Sequence, residues 1–426
     1  MLDSVNLIFV QIGLVGLLAF YLASSLGAND VANSMGTSVG SKALTLTQAI
    51  IVAGILEFTG AVLFGGEVSS TLATSVVNPS IFSPKPEIFA LGMVSVLISC
   101  GLWLHLASSR GWPVASSHAV VGAIAGFGSV EAGINSVNWS TIGQICVAWL
   151  IAPLVSCILA GLFYSLVKHW IVDHPEPIQQ LQEWIPWLSV ALISVFGVIV
   201  LPKLSKAFTQ NIGLRVPAHH LSIILWAIAV ISLTLISWRK LTATTDIEQS
   251  KYPNLIESQM ARFQVLSACF VAFAHGSNDV GNAVAPLAAI VYILRHNSIP
   301  LTNFNVPVWI LVVGGAGIVT GLALWGQNVI ATVGENIISL QPSGGFCAEL
   351  ATATTVLVAS RIGLPVSTSH ALVGAVVGIG LVQGLKSIRF QTVGSIALAW
   401  LITIPVASGL SAVIFLLLLY LFSSVI

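Results

Sequence analysis

An aspartate flanked by asparagines occurs twice in this chain, each time in or beside a long apolar stretch. Residues 27–34 read GANDVANS and residues 276–283 read GSNDVGNA, so that five of eight positions are identical. A carboxylate at membrane depth costs several kcal/mol unless it faces a cavity, a partner or a cation. The repeated pair Asp30 and Asp279 therefore indicates a binding site. The glycines and amides around it predict helices that break to line that site.

Carboxylate, amide and backbone carbonyl oxygens are the ligands that small hard cations prefer. Sodium can be held in this way where a membrane helix is broken. Protons could serve the same electrostatic purpose by neutralising the carboxylates. The candidate cation ligands are Asn29, Asp30, Asn33, Asn278, Asp279 and Asn282.

A second motif is also duplicated, and it carries hydroxyl groups in place of carboxylates. Residues 111–126 and 363–378 match at ten of sixteen positions around a shared Pro-Val and Ser-His. Hydroxyl residues after a proline and before an apolar, glycine-spaced run predict a hairpin tip followed by a helix N-terminus. Backbone N–H groups and the helix dipole make such a tip an anion site. The hydroxyl groups that suit a tetrahedral oxyanion belong to Ser116, Ser117, Ser367, Thr368 and Ser369.

The distribution of charge couples the two motifs. No lysine or arginine lies inside an apolar run, whereas Asp279, Glu57 and Glu349 do and Asp30 follows one closely. An anion entering a carboxylate-lined site without cationic side chains is repelled unless cations accompany it. We therefore expect anion and cation to bind together.

Composition sets the class of protein that must position these groups. The 426 residues are 56% hydrophobic and 7% charged, against roughly 25% charged in soluble domains. This predicts an all-α polytopic membrane protein with no nucleic-acid partner. The apolar segments number about twelve and fall at 6–26, 46–66, 88–109, 113–130, 140–167, 186–201, 219–238, 262–294, 306–330, 346–360, 365–385 and 391–424.

The order and spacing of the motifs predict an internal duplication. The first motif recurs after 249 residues and the second after 252. We predict an N-terminal transport repeat at 1–167, a central insert at 168–260 and a C-terminal transport repeat at 261–426. The insert comprises an interfacial segment, two membrane segments and the basic loop 239–262, which the positive-inside rule places in the cytoplasm. Residue patterns alone leave the relative orientation of the two repeats open.

Together, the four motif copies resemble the inorganic phosphate transporter (PiT) family, and the resemblance covers both halves of the chain. It implies two inverted-topology repeats with broken helices and re-entrant hairpins, a homodimer, and a location in a bacterial inner membrane. It also implies symport of phosphate with sodium or protons and no further cofactor. Asp30 and Asp279 would coordinate cation and border the substrate, and the hydroxyls would hold phosphate. Glu57 and Glu349 resemble glutamates that matter for transport in the family.

One position departs from the family pattern. Ala115 stands where the family has a hydroxyl residue, which the second copy keeps as Ser367. A hydrogen bond to a charged ligand is worth about 1.5–3 kcal/mol. The expectation is weaker phosphate binding, which leaves a sulfate permease as an alternative.

Histidines accompany the motifs. His118 and His370 follow the hydroxyl residues in both copies, and we predict that they make local hydrogen bonds at a helix start, with a ligand or proton-carrying role as the alternative. His275 has no counterpart in the first copy, where Leu26 stands, and is interpreted as structural.

Rival functions are an enzyme, a channel and a cation antiporter without an anion substrate. The His-Glu-x-x-His motif of zinc proteases is absent from the sequence, and we predict no enzymatic activity. Two unequal halves in one chain favour alternating access over a symmetric pore. The hydroxyl-rich hairpins favour an anion carrier over an antiporter.

Overall fold

The computed structural model describes residues 2–112, 114–212, 217–245, 252–300, 304–333 and 338–423, and these are almost entirely helical. The one β-type contact in this part is an isolated bridge between Val77 and Val137. The α-helices are α1 Leu2–Gly40, α2 Leu46–Phe64, α3 Gly66–Ser75, α4 Pro86–Ser109, α5 Ser116–Ala132, α6 Trp139–Val167, α7 Pro177–Ile199, α8 Leu201–Ile212, α9 Ala218–Thr245, α10 Tyr252–His296, α11 Val308–Val333, α12 Pro342–Arg361, α13 Thr368–Gln383 and α14 Phe390–Phe422.

Nine helices of the described chain are long and apolar enough to cross a membrane. They are α1, α2, α4, α6, α7, α9, α10, α11 and α14. The three other apolar segments predicted from the sequence correspond to α5, α12 and α13. Helices α5 and α13 have 17 and 16 residues, about 25 Å, which is shorter than a hydrocarbon core of about 30 Å. Helix α12 has 20 residues but carries Glu349 and several hydroxyl side chains.

The molecule has an apolar exterior and a polar interior. Leu150 and Leu401 are each 69% exposed, and Leu14 is 60% exposed. Helix α10, in contrast, is almost wholly buried, although it contains His275 and the second aspartate motif. This arrangement suits a helical protein whose solvent is lipid and whose functional groups face inward.

The prediction that the aspartate motifs break their helices is wrong. Helix α1 continues through 27–34, and α10 continues through 276–283. The motif glycines serve close helix packing instead. A Cβ atom on Gly27 would overlap the backbone carbonyl of Ile318, and one on Gly276 would overlap the carbonyl of Glu57. Because glycine costs a helix only about 1 kcal/mol relative to alanine, packing against α11 and α2 outweighs that local penalty.

The second motif does form hairpin tips. Helices α4 and α5 are joined at 110–115, and α12 and α13 are joined at 362–367. Each turn contains a glycine in the left-handed region, with φ of 66° at Gly111 and 71° at Gly363. Pro113 lies outside the described residues.

The central insert is more helical than the sequence indicated. Residues 202–212, which lie between the predicted membrane segments 186–201 and 219–238, belong to α8, and the membrane helix expected at 186–201 begins at Pro177. The expected loop 239–262 is also mostly helical, since α9 runs to Thr245 and α10 starts at Tyr252. Residues 246–251 of that loop lie outside the described residues. Apolar runs do not reveal such segments, because a helix that packs on one face carries polar residues on the other.

Candidate functional site

Asp279 lies where the second aspartate motif meets the second hairpin. Its Oδ2 atom accepts a hydrogen bond of 2.9 Å from the hydroxyl of Thr368, and its Oδ1 atom accepts one of 2.6 Å from Asn278 Nδ2. The carboxylate is 1% exposed. Helix α10 and the start of α13 therefore meet at one buried anionic group.

Asp30 faces the same region from α1. Its Oδ1 atom accepts a hydrogen bond of 3.2 Å from Asn33 Nδ2, whereas Oδ2 has no partner. One side-chain ligand atom each from Asp30, His275 and Asp279 lie within 4.8 Å of one another. The structure thus brings together the two aspartates that the duplication indicated.

The first asparagine of each motif attaches its own hairpin to the central helices. Asn29 Nδ2 donates to the Trp112 carbonyl and to Ser108 Oγ, both at 3.1 Å. Asn278 Nδ2 donates to the Val366 carbonyl at 2.7 Å, and Ser360 Oγ donates to Asn278 Oδ1 at 3.4 Å. Ser108 and Ser360 are 252 residues apart, which is the spacing of the hairpin motifs. The duplication therefore repeats this attachment.

The second asparagine of the α10 motif reaches the opposite hairpin. Asn282 Nδ2 donates to Ser116 Oγ at 3.3 Å, and Asn282 Oδ1 is buried without a partner. Residues of both repeats, two motifs and two hairpin tips, consequently enclose one buried region.

The predicted hydroxyl groups differ in how they are engaged. Ser367 Oγ and Ser369 Oγ lie 2.9 Å apart, and the His370 N–H donates to Ser367 Oγ at 3.3 Å as a helix N-cap. Ser117 Oγ is buried and has no partner. The equivalent of Ser367 is Ala115, the N-cap of α5, which supplies no side-chain bond. The missing hydroxyl at Ala115 is therefore first of all a missing cap.

His275, which was interpreted from the sequence as structural, lies in the candidate site. Its Nε2 atom lies 2.7 Å from Asp279 Oδ2, and its Nδ1 atom lies 3.1 Å from Glu57 Oε1. Both contacts fall within ion-pair distance, although neither has the in-line geometry of a hydrogen bond. The i, i+4 spacing of His275 and Asp279 on α10 was the available signal, since such residues share a helix face.

Glu57 and Glu349 occupy different places. Glu57 joins the main site through His275, and its Oε1 atom also accepts from Ser34 Oγ at 2.8 Å. Glu349 bonds instead to Ser267, which precedes Asp279 by twelve residues on α10, about 18 Å along a helix. The two glutamates are therefore not parts of one cluster.

Four side-chain donors saturate the Glu349 carboxylate. The distances are 2.6 to 3.2 Å, and the donors are Thr37, Ser38, Gln264 and Ser267. These donors come from α1 and α10, so Glu349 joins three helices.

Residues 36–40 happen to have Gly-x-Ser-x-Gly spacing, but they lie within helix α1 and Ser38 donates to Glu349. This is not the strand-to-helix turn of a hydrolase nucleophile.

His118 and His370 make long-range hydrogen bonds, contrary to the local bonds predicted for them. His118 Nδ1 lies 3.2 Å from the Trp400 carbonyl, and His370 Nδ1 lies 3.1 Å from the Trp149 carbonyl. The two imidazole centroids are 4.7 Å apart. Each hairpin helix is thereby bonded to a long helix of the other repeat.

These contacts define the class of protein: an all-helical membrane protein with a buried, carboxylate- and hydroxyl-lined site at its centre. The phosphate transporter family model matches residues 26–411, which include every motif described above. The chain belongs to this family of transporters, whose function is not enzymatic.

Known relatives match nearly the full length of this chain. The chain is 39% identical to a "Putative phosphate permease" of Haemophilus influenzae, over 93% of this chain and 94% of that protein. It is 38% identical to "Inorganic phosphate transporter 2-1, chloroplastic" of Arabidopsis thaliana, over 93% of this chain and 70% of that one. A solved structure, named "The sodium-dependent phosphate transporter", superposes with a TM-score of 0.84 at 33% identity, covering 97% of this chain and 99% of the other.

Proposed function

We propose that this protein is a secondary active transporter that carries inorganic phosphate across the membrane in symport with sodium by alternating access. The observation that carries the proposal is the meeting of two hydroxyl-bearing hairpin tips with Asp30 and Asp279. Phosphate would be held by the hydroxyls of Ser116, Ser117, Thr368 and Ser369, while Ser367 Oγ caps its own helix. Sodium would be held by the aspartate and asparagine oxygens at 29–33 and 278–282. Membership of the phosphate transporter family supports phosphate as the anion, and similarity to a sodium-dependent phosphate transporter supports sodium as the cation.

Electrostatics explains why the two substrates must bind together. The buried polar residues of the described chain include no lysine or arginine. Two carboxylates no more than 4.8 Å apart repel each other by at least about 3 kcal/mol at an effective dielectric constant near 20. A phosphate dianion adds to that repulsion. Cations at Asp30 and Asp279 reverse its sign, and the unpartnered oxygens Asp30 Oδ2 and Asn282 Oδ1 are available to them.

Hydroxyl groups and helix N-termini replace basic side chains as the phosphate ligands. Ser117 Oγ has no bond to give up, and Thr368 already bonds Asp279. A cation that draws on Asp279 would release the Thr368 hydroxyl toward phosphate. Cation binding would in this way prepare the anion site as well as neutralise it.

We also propose that the repeats 1–167 and 261–426 have inverted topology and that the α4–α5 and α12–α13 pairs are re-entrant hairpins. Asp30 pairs with the region around Asp279, while Ser38 and Ser267 both bond Glu349. Helices α1 and α10, which carry equivalent motifs, therefore run in opposite directions. The short α5 and α13 suit hairpins that end inside the membrane. The location is the bacterial inner membrane, with the region 239–262 cytoplasmic and a homodimeric assembly.

Proton coupling is the second candidate, and His275 is the observation that favours it. A buried imidazole within ion-pair distance of both Glu57 and Asp279 can hold a proton at the place where a cation is needed. Nitrogen is a poor ligand for a hard cation, so His275 would hold a proton and leave sodium to the oxygens.

The test is uptake of radiolabelled phosphate into proteoliposomes under a sodium gradient, a proton gradient or neither. We expect uptake driven by sodium, and loss of that coupling in Asp30→Asn and Asp279→Asn protein that still inserts and purifies normally. Wild-type coupling in either variant removes that aspartate from the cation site. Uptake under the proton gradient alone, abolished by His275→Gln, establishes the second candidate. No uptake under any gradient refutes phosphate transport.

Competition by unlabelled sulfate in the same vesicles decides the anion. We expect excess sulfate to leave phosphate uptake largely intact. Equal competition by sulfate and phosphate would favour the sulfate permease, and sodium flux without anion would favour an antiporter.

A further inference from the structure

A polar cavity lies beside the α12–α13 hairpin, outside the buried site. It has a volume of about 610 Å³, and its lining includes Glu67, Thr71, Lys203, Asn305, Arg361 and Gly363. Glu67 belongs to α3, Lys203 to α8 and Arg361 to the last turn of α12. Three separate parts of the chain thus bring charged groups to one solvent-accessible space.

The charges in this cavity are unbalanced. Lys203 Nζ and Arg361 Nη1 lie 3.4 and 3.6 Å from the same atom, Glu67 Oε1. Their side chains are 38% and 53% exposed, and that of Glu67 is 41% exposed. Exposed pairs of this kind contribute little to stability. Two cations that share one carboxylate oxygen leave a net positive charge that a multivalent oxyanion can satisfy better.

The cavity is in contact with the phosphate-binding hairpin. A Cβ atom on Gly363 would lie 3.2 Å from Thr71 Oγ1 and 3.9 Å from the Glu67 carbonyl, so α3 packs directly on the hairpin turn. Arg361 follows Ser360, whose hydroxyl bonds Asn278. Thr368, seven residues beyond Arg361, bonds Asp279. An anion held by Arg361 therefore lies beside the α12–α13 hairpin, which contacts the buried Asn278 and Asp279.

The cavity lies toward the C-terminal end of α10. Asn305 and its neighbours follow α10 in the chain, and the ring centroid of Phe304 lies 5.7 Å from that of Tyr292 in the last turns of α10. The region 239–262 lies at the other end of α10. If that region is cytoplasmic, an anion arriving from outside meets Lys203 and Arg361 first.

We propose that Lys203 and Arg361 form an outer capture site for the phosphate anion, with Glu67 as the intramolecular carboxylate that phosphate displaces. This rests on the proposed function and adds a binding step to it. Lys203, held 4.4 Å above the Phe64 ring centroid, and the planar Arg361 guanidinium attract the dianion from solution.

Kinetics in cells that take up phosphate through this protein test the proposal. Lys203→Gln and Arg361→Gln should each raise the KM for phosphate about three- to tenfold with kcat nearly unchanged, because one charge near a dianion is lost. Glu67→Gln should lower KM about twofold or more. The matched control is Lys206→Gln, which removes the same charge from an exposed position on α8 that does not line the cavity. Raised salt should weaken wild-type uptake more than uptake by Arg361→Gln.

Labelling of purified protein supplies a readout that does not depend on transport. Phenylglyoxal modification of Arg361, located by mass spectrometry, should slow when phosphate replaces chloride at equal ionic strength. Modification of Arg110, at the other hairpin turn, should not change. Absence of uptake by wild-type protein would refute the proposed function, while protection of Arg361 would still support an anion site.

Two results would overturn the capture site. One is an unchanged KM in both cation variants together with equal Arg361 labelling in phosphate and chloride. The other is a fall in kcat at constant KM in all three variants, Glu67→Gln included, which would make the cluster a mechanical contact between α3, α8 and α12.

Discussion

Restoring a hydroxyl at position 115 separates the structural role of the hairpin start from its binding role. Ala115 and Ser367 begin equivalent helices with nearly the same backbone: φ and ψ are −89° and 111° at Ala115, and −88° and 116° at Ser367. Ser367 Oγ accepts from the His370 N–H, whereas α5 has no side-chain cap. The Ala115→Ser hydroxyl is therefore expected to accept from the N–H of His118.

The magnitudes of the two possible effects differ enough to tell them apart. A side-chain N-cap is worth about 1 kcal/mol. A new hydrogen bond to a charged ligand would instead be worth about 1.5–3 kcal/mol, or about tenfold and more in affinity. Because the equivalent Ser367 hydroxyl is engaged with its own helix and with Ser369, we expect the stability gain and a phosphate KM within about twofold of wild type.

The free energy of unfolding can be measured by titration with SDS in mixed micelles, and the KM by uptake into proteoliposomes. Ser367→Ala is the matched control, which should lose about 1 kcal/mol of stability by removing the existing cap. A tenfold fall in KM for Ala115→Ser with unchanged unfolding would refute the capping argument. It would show that the hydroxyl at this position faces phosphate.

Three further predictions follow from the buried contacts. Glu349→Gln should destabilise the protein by about 1.5–3 kcal/mol in SDS unfolding, because a carboxylate bonded to four donors becomes an amide; unchanged stability would contradict this. Ser117→Ala should leave unfolding within about 0.5 kcal/mol of wild type yet raise the phosphate KM about tenfold, and an unaltered KM would remove Ser117 from the site. Gly276→Ala should cost about 3 kcal/mol or prevent folding, because the added Cβ would overlap the Glu57 carbonyl. Its control, Gly13→Ala, meets no atom within 4 Å and should be neutral or slightly stabilising.

The residues of the candidate site were largely predictable because the sequence contains each motif twice. Asp30 and Asp279 stand out as carboxylates in apolar surroundings, and their duplication marks them without any structure. The hairpin hydroxyls were found in the same way. The low charge and the long apolar runs also indicated the helical membrane class, since an uncharged run of that length is typical of a membrane-spanning helix.

The incorrect predictions concern residues whose contacts are with helices far away in the sequence. The motif glycines predicted a helix break, but Gly27 and Gly276 face the backbones of α11 and α2. His275 was interpreted as structural because Leu26 stands at the equivalent position of the first repeat. Its contact with Asp279 one turn further along α10, and the approach of α2, which brings Glu57 to within 3.1 Å of the imidazole, make His275 part of the site.

The sequence by itself determined that this is a membrane protein, that its chain is duplicated, and which chemical groups are available to bind anion and cation. Composition and repeated motifs carry that information because both are recognised without knowing which residues meet in space. The tertiary structure decided which groups share a site: Glu57 joins Asp279 through His275, while Glu349 is saturated elsewhere by α1 and α10. Those assignments depend on how closely helices pack, and packing is set by contacts between residues far apart in sequence.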